Sequence, residues 1–186
     1  LIILITFCTQ VKMSTLVLEQ LNPDDNEKIY AIYKYGSQVY GTIHDQSDHD
    51  FIVVSDSETT VNIPNVDITC YTLQEFQQHL DNNEIWALEC VFSTPVYLKY
   101  VFNVKIDIQK LRSSVSRTSS QAFNKAKKKF VSPYDKEEEL LRGKKSLFHS
   151  LRVLMFGIQI AQYNKITNYQ EANDYFVEIM SNSSDK

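Results

Sequence analysis

Two carboxylates stand at the mouth of an apolar run, Ser47-Asp48-His49-Asp50-Phe51-Ile52-Val53-Val54, and that juxtaposition limits what the chain can become. The run is dense in β-branched and aromatic residues and predicts a strand over His49 to Ser55. Side chains alternate faces along a strand, so Asp48 and Asp50 point one way while Phe51 and Val53 pack on the opposite face. Neighbouring carboxylates repel unless a cation lies between them. Mg2+, or Mn2+ in its place, takes hard oxygen ligands and keeps positions open for water and phosphate oxygens. The plain alternative is an exposed acidic strand end.

What precedes the acids favours the cation. Gly36 can bring its backbone close to a ligand, and Ser37 offers a hydroxyl and an N–H to a phosphate oxygen. Gly41-Thr42 repeats the small-plus-hydroxyl pattern, and Ser47 precedes the first acid. No Gly-Lys-Ser/Thr follows, which excludes a Walker A loop, and the glycine spacing excludes a dinucleotide fingerprint. A third carboxylate would complete a site for two divalent ions. Asp67, inside the apolar strand Val66-Asp67-Ile68, is the choice, because a buried strand Asp is costly without a cation or hydrogen-bond partners. Asp56 and Glu58 are rivals in a polar loop.

Around this core the pattern predicts strands at Ile29 to Tyr35 and Asn65 to Tyr71, which with His49 to Ser55 form the centre of a small mixed sheet. A short helix is expected over Ser14 to Leu21. Another runs over Thr72 to Leu80, opened by the capping box Thr72-Leu73-Gln74-Glu75. Glu84 to Phe92 reads as helical and Val96 to Val104 as an edge strand. Beyond Asp107 only helices are expected: Ser113 to Phe130, Lys136 to Asn164 with a break near Gly143, and Tyr169 to Met180. Phe148, Leu151, Met155, Ile158 and Gln162 are expected to form the core stripe of the long helix. The expected organisation is an N-terminal extension over 1–12, set aside because Met13 opens a plausible start, a catalytic domain over 13–106 and a helical domain over 107–186.

Charge divides along the same line. Residues 1–100 hold 4 basic and 14 acidic side chains, net −10, whereas residues 101–186 hold 15 and 9, net +6. A metal-collecting half and an anion-facing half suit a polyanionic substrate, although helices also carry more Lys and Arg than strands do. Lys125-Ala126-Lys127-Lys128-Lys129 is either a footprint for nucleic acid or a solvated helix face. Lys145, His149 and Arg152, at i, i+4 and i+7, lie on one side of a helix, where they reach triphosphate oxygens or form a similar solvated face. Cys8, Cys70 and Cys90 show no metal or disulfide spacing, so reduced thiols in a cytoplasmic or nuclear setting are expected. The apolar start, Leu1 to Cys8, is too short to span a membrane, and no membrane partner is expected.

Gly36-Ser37, then Ser47-Asp48-x-Asp50, then Asp67 in a strand resembles the DNA-polymerase-β-like superfamily of nucleotidyltransferases. The finer pattern, Gly-Ser-x-x-Tyr-Gly-Thr leading to Ser-Asp-x-Asp, is similar to the nucleotidyltransferases associated with RNA-repair ligases. Asn83 to Pro95 and Lys145 to Arg152 agree with that group too. The resemblance implies an α+β fold: a small mixed sheet with flanking helices, followed by a C-terminal helical domain. It implies Asp48, Asp50 and Asp67 as catalytic metal ligands, and Gly36, Ser37, Tyr40, Gly41, Thr42, Ser47, Lys145, His149 and Arg152 as nucleotide contacts. The implied reaction moves a nucleoside monophosphate from a triphosphate such as ATP to a hydroxyl on RNA, protein or a small molecule. Against that group the chain reads as short, with a final helix or more missing. A non-catalytic nucleotide- or RNA-binding module, or an antitoxin-like partner of another protein, is the alternative on the same fold.

Overall fold

A computed structural model describes residues 2–22, 28–43, 47–57, 61–132 and 136–181, with side chains from residue 12 onward. The elements run α1 (Ile2–Leu21), β1 (Ile29–Tyr35), α2 (Ser37–Tyr40), β2 (His49–Ser55), β3 (Val66–Tyr71), α3 (Leu73–Asp81), α4 (Ile85–Phe92), β4 (Tyr97–Leu98), α5 (Ile108–Phe130), α6 (Lys136–Tyr163) and α7 (Asn173–Ser181). The fold is α+β, as expected, and divides into two compact units. One comprises Leu1–Asp81 with Trp86–Val104, the other Asn82–Ile85 with Lys105–Lys186. Among the described residues no helix is long and apolar enough to cross a membrane.

The first unit is built on a four-stranded sheet in the order β3-β2-β1-β4. β1 pairs antiparallel with β2 and with β4, while β2 and β3 run parallel, so the sheet is mixed. Alternation along the strands gives it two apolar faces. Ile32, Phe51 and Val53 pack with Val17 and Leu21 of α1 on one side. On the other, the Tyr33 ring stacks on Phe76 of α3, and Tyr71 stacks on Trp86 of α4 with ring centroids 4.6 Å apart. The capping box forms as expected: Glu75 N–H donates to Thr72 Oγ1 at 3.2 Å, and Thr72 N–H donates to the Glu75 carboxylate at 2.9 Å.

Three expectations are corrected here. The first helix is much longer than Ser14 to Leu21, beginning at Ile2. β3 is an edge strand rather than a central one, because nothing pairs with its outer side among the described residues. Only Tyr97–Leu98 of the anticipated edge strand makes ladder pairs, against Ile32 and Ala31.

In the second unit α5 and α6 lie antiparallel: Gly143 sits against Phe130 and Gly157 against Val115. A Cβ at Gly143 would come within 2.6 Å of the Phe130 ring, and one at Gly157 within 2.8 Å of Val115. The two glycines therefore permit close helix approach, and α6 runs unbroken through Gly143. Asp107 caps α5 by accepting from the N–H groups of Gln109 and Lys110 at 2.9 and 3.1 Å. Residues 82–85 are clasped into this unit: Asn83 exchanges hydrogen bonds with Asp107 N–H and Lys105 C=O, and Ser114 Oγ accepts from Ile85 N–H.

The expected α6 stripe is also corrected. Phe148 is buried, but Ile158 is 56% exposed and Gln162 is exposed. The buried face carries Ser146, Ser150, Val153, Phe156, Gly157 and Ile160, and admits Arg152 and Gln159 as well. Small residues govern that contact, so a stripe drawn through the largest apolar side chains misses it.

Candidate active site

Strand register brings the acids together. In the parallel β2–β3 pair Asp50 lies opposite Asp67, and β1 sets Tyr35 opposite Asp50 on the other side. Asp50 and Asp67 share a cleft of about 450 Å³ with Tyr35, Gly36, Thr69, Tyr71 and Trp86. Asp48, just before β2, is exposed, Asp67 is exposed and Asp50 is half-buried. Sequence reasoning expected Asp67 to be costly because buried. Its edge strand leaves it open, and proximity to Asp50 supplies the electrostatic cost instead.

That cost is visible in Asp50, whose carboxyl is pushed up to about 6 by burial, then by Asp67 and by Asp48. Among the described residues no basic group is seen to lower it. Ion pairs form elsewhere, as in Arg117–Glu84, Lys129–Glu139 and Arg142 with Glu138 and Glu139. His49, between the two acids in sequence, is buried and held below its usual pKa by burial and by Lys34. A positive charge between the acids would relieve their repulsion, and a purely carboxylate donor set fits Mg2+ or Mn2+. Among the described residues no three His, Cys, Asp or Glu side chains already stand close enough together to hold an ion.

The turn before the acids is fitted to them. Gly36 adopts φ 72° and ψ −151°, a conformation closed to other residues, and a Cβ there would stand 2.1 Å from Asp50 Oδ2. Gln38 Nε2 donates to the Asp50 backbone carbonyl, tying α2 to β2. Gly41, at φ 73°, closes the short helix, and Thr42 N–H donates to Ser37 C=O at 3.1 Å. Ser37, Thr42 and Ser47 are half-buried and Gly41 is exposed.

A family model, the nucleotidyltransferase domain, matches residues 17–146. The chain belongs to that family. It lies within the polymerase-β-like superfamily, and nucleotidyl transfer is the reaction class that membership supports. No curated protein matches the sequence. The match takes in Gly36, Asp48, Asp50 and Asp67, and ends at Ser146, so that Lys145 falls inside it and His149 and Arg152 beyond it.

Tyr40 has a different place from the nucleotide contact expected of it. Its ring is 2% exposed and its hydroxyl donates to the buried Glu89 of α4. It braces the motif turn against α4. Gln38 and Glu89, the two side chains that hold this turn, escape a motif search because each acts through one tertiary hydrogen bond.

The second unit separates the basic trio. Lys145 and His149 line a cavity of about 590 Å³ with Lys125, Lys129, Arg142 and Thr118. Arg152 is 6% exposed, stands over the rings of Phe148 and Phe156, and bonds His149 Nδ1 through Nη2 at 2.7 Å. It supports His149 from the buried side, where the i, i+7 spacing placed it beside Lys145. Burial, Arg152 and Lys125 hold the His149 pKa down at about 4. The neutral ring accepts from the guanidinium at Nδ1, which leaves its proton on Nε2.

Proposed function

We propose that this protein transfers a nucleoside monophosphate from a nucleoside triphosphate to a hydroxyl acceptor on RNA, protein or a small molecule. The acceptor oxygen attacks the α-phosphorus, the bond from that phosphorus to the bridging oxygen breaks, and pyrophosphate leaves. Asp48, Asp50 and Asp67 would hold Mg2+ or Mn2+, which neutralises charge on the triphosphate and its leaving group when bound. Asp67, on the open edge strand, takes the acceptor's proton. Gly36 leaves the space beside Asp50 clear, and Ser37 offers a hydroxyl to the phosphates. Positioning and charge neutralisation suffice for such a transfer, so no covalent nucleophile is required.

The observation that carries this reading is the uncompensated Asp50 carboxyl, raised to about 6 in contact with Gly36 and opposite Asp67. One observation favours the alternative, a non-catalytic nucleotide- or RNA-binding module: the acids do not converge as they stand. On the catalytic reading Asp48 and Asp67, both exposed, turn inward when an ion binds. Incubation with labelled nucleoside triphosphates and Mg2+, with and without RNA, separates the two. Label transfer that disappears in Asp48→Asn/Asp50→Asn at an unchanged or raised Tm supports catalysis. Triphosphate binding without transfer to any acceptor supports the module, and neither binding nor transfer overturns both.

A further inference from the structure

The α5–α6 cavity is walled by cations, unlike the acid cleft of the first unit. Lys125 and Lys129 come from consecutive turns of α5 and Arg142 and Lys145 from consecutive turns of α6, with the neutral His149 one turn further along, so two cationic rows face one space. Glu139 binds Lys129 and also lies 3.8 Å from Arg142, which bonds Glu138 as well. Those two cations are thus tied to carboxylates. Lys125 and Lys145 have no carboxylate partner among the described residues. His149 registers the resulting field: its protonation is opposed by burial and then by two cations, Arg152 and Lys125. Thr118, Gln121 and Ser146 add neutral hydrogen-bonding groups to the wall.

The spacing of the cations narrows the ligand. Lys125 and Lys129 lie four residues apart on α5, a rise of about 6 Å, which exceeds a single phosphoryl group and suits a ligand carrying several along its length. The wall also sorts the α5 lysines by helical period. Lys125 and Lys129 enter the cavity, whereas Lys127 stands over the Phe123 ring and Lys128 is exposed elsewhere on the helix. Lys127 and Lys128 thus carry equal charge on the same helix outside the cavity.

We infer that the cavity between α5 and α6 is a binding site for a ligand bearing several phosphates, held chiefly by Lys125 and Lys145, with Lys129 and Arg142 loosened from Glu139 as it enters. That chemistry has two sources, the triphosphate of a free nucleotide and the backbone of a nucleic-acid strand. The inference rests on nucleotidyl transfer only for its biological setting, since the test is one of binding and calls for no turnover.

The experiment titrates the full chain, in EDTA at physiological ionic strength, with tripolyphosphate, with ATP and with a single-stranded RNA oligonucleotide, following heat or Tm. EDTA removes metal-assisted binding at the acids. The variant Lys125→Gln/Lys145→Gln is expected to bind about tenfold or more weakly, the loss of a charge-assisted bond. Lys127→Gln/Lys128→Gln, which removes equal charge from α5 outside the cavity, is expected to bind within about twofold of the unsubstituted protein. Tripolyphosphate and ATP binding alone identifies a nucleotide's phosphates, and RNA binding more tightly than either identifies a strand; both support the site. No binding of any probe, or an equal loss in the two lysine variants, overturns it.

Discussion

The acid cleft of the first unit and the basic cavity of the second are opposite solutions to one electrostatic situation. Each gathers like charges in excess of their partners, since in the second only Lys129 and Arg142 are paired among the described residues, with Glu139 and Glu138. In the first, Asp50 is crowded by burial, Asp67 and Asp48 until its carboxyl resists ionisation to about pH 6. In the second, burial, Arg152 and Lys125 make His149 resist protonation to about pH 4. A structural ion-pair network would have cancelled these charges internally, as Arg117 and Glu84 do. Leaving them in excess stabilises nothing in the protein alone, and it fits a cation at one site and phosphates at the other.

The acid side is tested most severely by Asp48→Asn/Asp50→Asn. Transfer is expected to fall by about 10³-fold or more, because charge neutralisation at the triphosphate is lost. The same variant is expected to melt no lower than the unsubstituted protein, since a repulsive carboxylate has gone. A large fall in Tm alongside lost activity would mean that the acids are structural. Gly36→Ala comes next: the new methyl collides with Asp50 Oδ2 and the backbone is strained, so activity is expected to drop by about 10²-fold with about 1–3 kcal/mol of lost stability. Wild-type activity in that variant would show that the close approach of Gly36 to Asp50 is dispensable.

The pH response sets the two sites directly against each other. Asp50 has a folded pKa above its ordinary value, so its stabilising contribution is full below about pH 4 and is lost as pH rises through about 6. His149 has a folded pKa below its ordinary value, so its contribution is full above about pH 6.5 and is lost as pH falls towards about 4. Between those limits the two slopes oppose. Asp50→Asn is expected to expose the His149 slope, with Tm falling as the solution is acidified, and His149→Gln to expose the Asp50 slope, with Tm rising. Melting curves from pH 4 to 7 on both variants check this, and identical profiles would refute the contrast. Lys145→Gln is the mildest change: relief of like charge should leave stability within about 0.5 kcal/mol of the unsubstituted protein, read by urea titration.

Much of the first unit is legible in the residues alone. Ile29 to Tyr35, His49 to Ser55 and the Thr72 capping box follow from alternation and local hydrogen-bonding chemistry, which act over a few residues. Asp48 and Asp50 are readable as a pair because one strand fixes their spacing. The second unit is legible only as helices. The face α6 buries is set by small residues meeting α5 at Gly143 and Gly157, a contact whose partner lies many residues away. Arg152 shows the same limit, since spacing along one helix put it with Lys145 while packing turned it inward between Phe148 and Phe156.

By itself, then, the sequence determined the motif, the α+β class and the family, because each depends on residue type and short spacing along the chain. Tertiary structure alone decided that Asp67 lies opposite Asp50, that Gly36 backs onto that carboxylate, that Tyr40 braces the turn through Glu89, and that Lys125 shares a cavity with Lys145. The reason is common to all four. Each joins groups far apart in the chain that tertiary packing brings together, and the strength of a charge or hydrogen bond depends on distance and burial, which spacing along the chain does not specify.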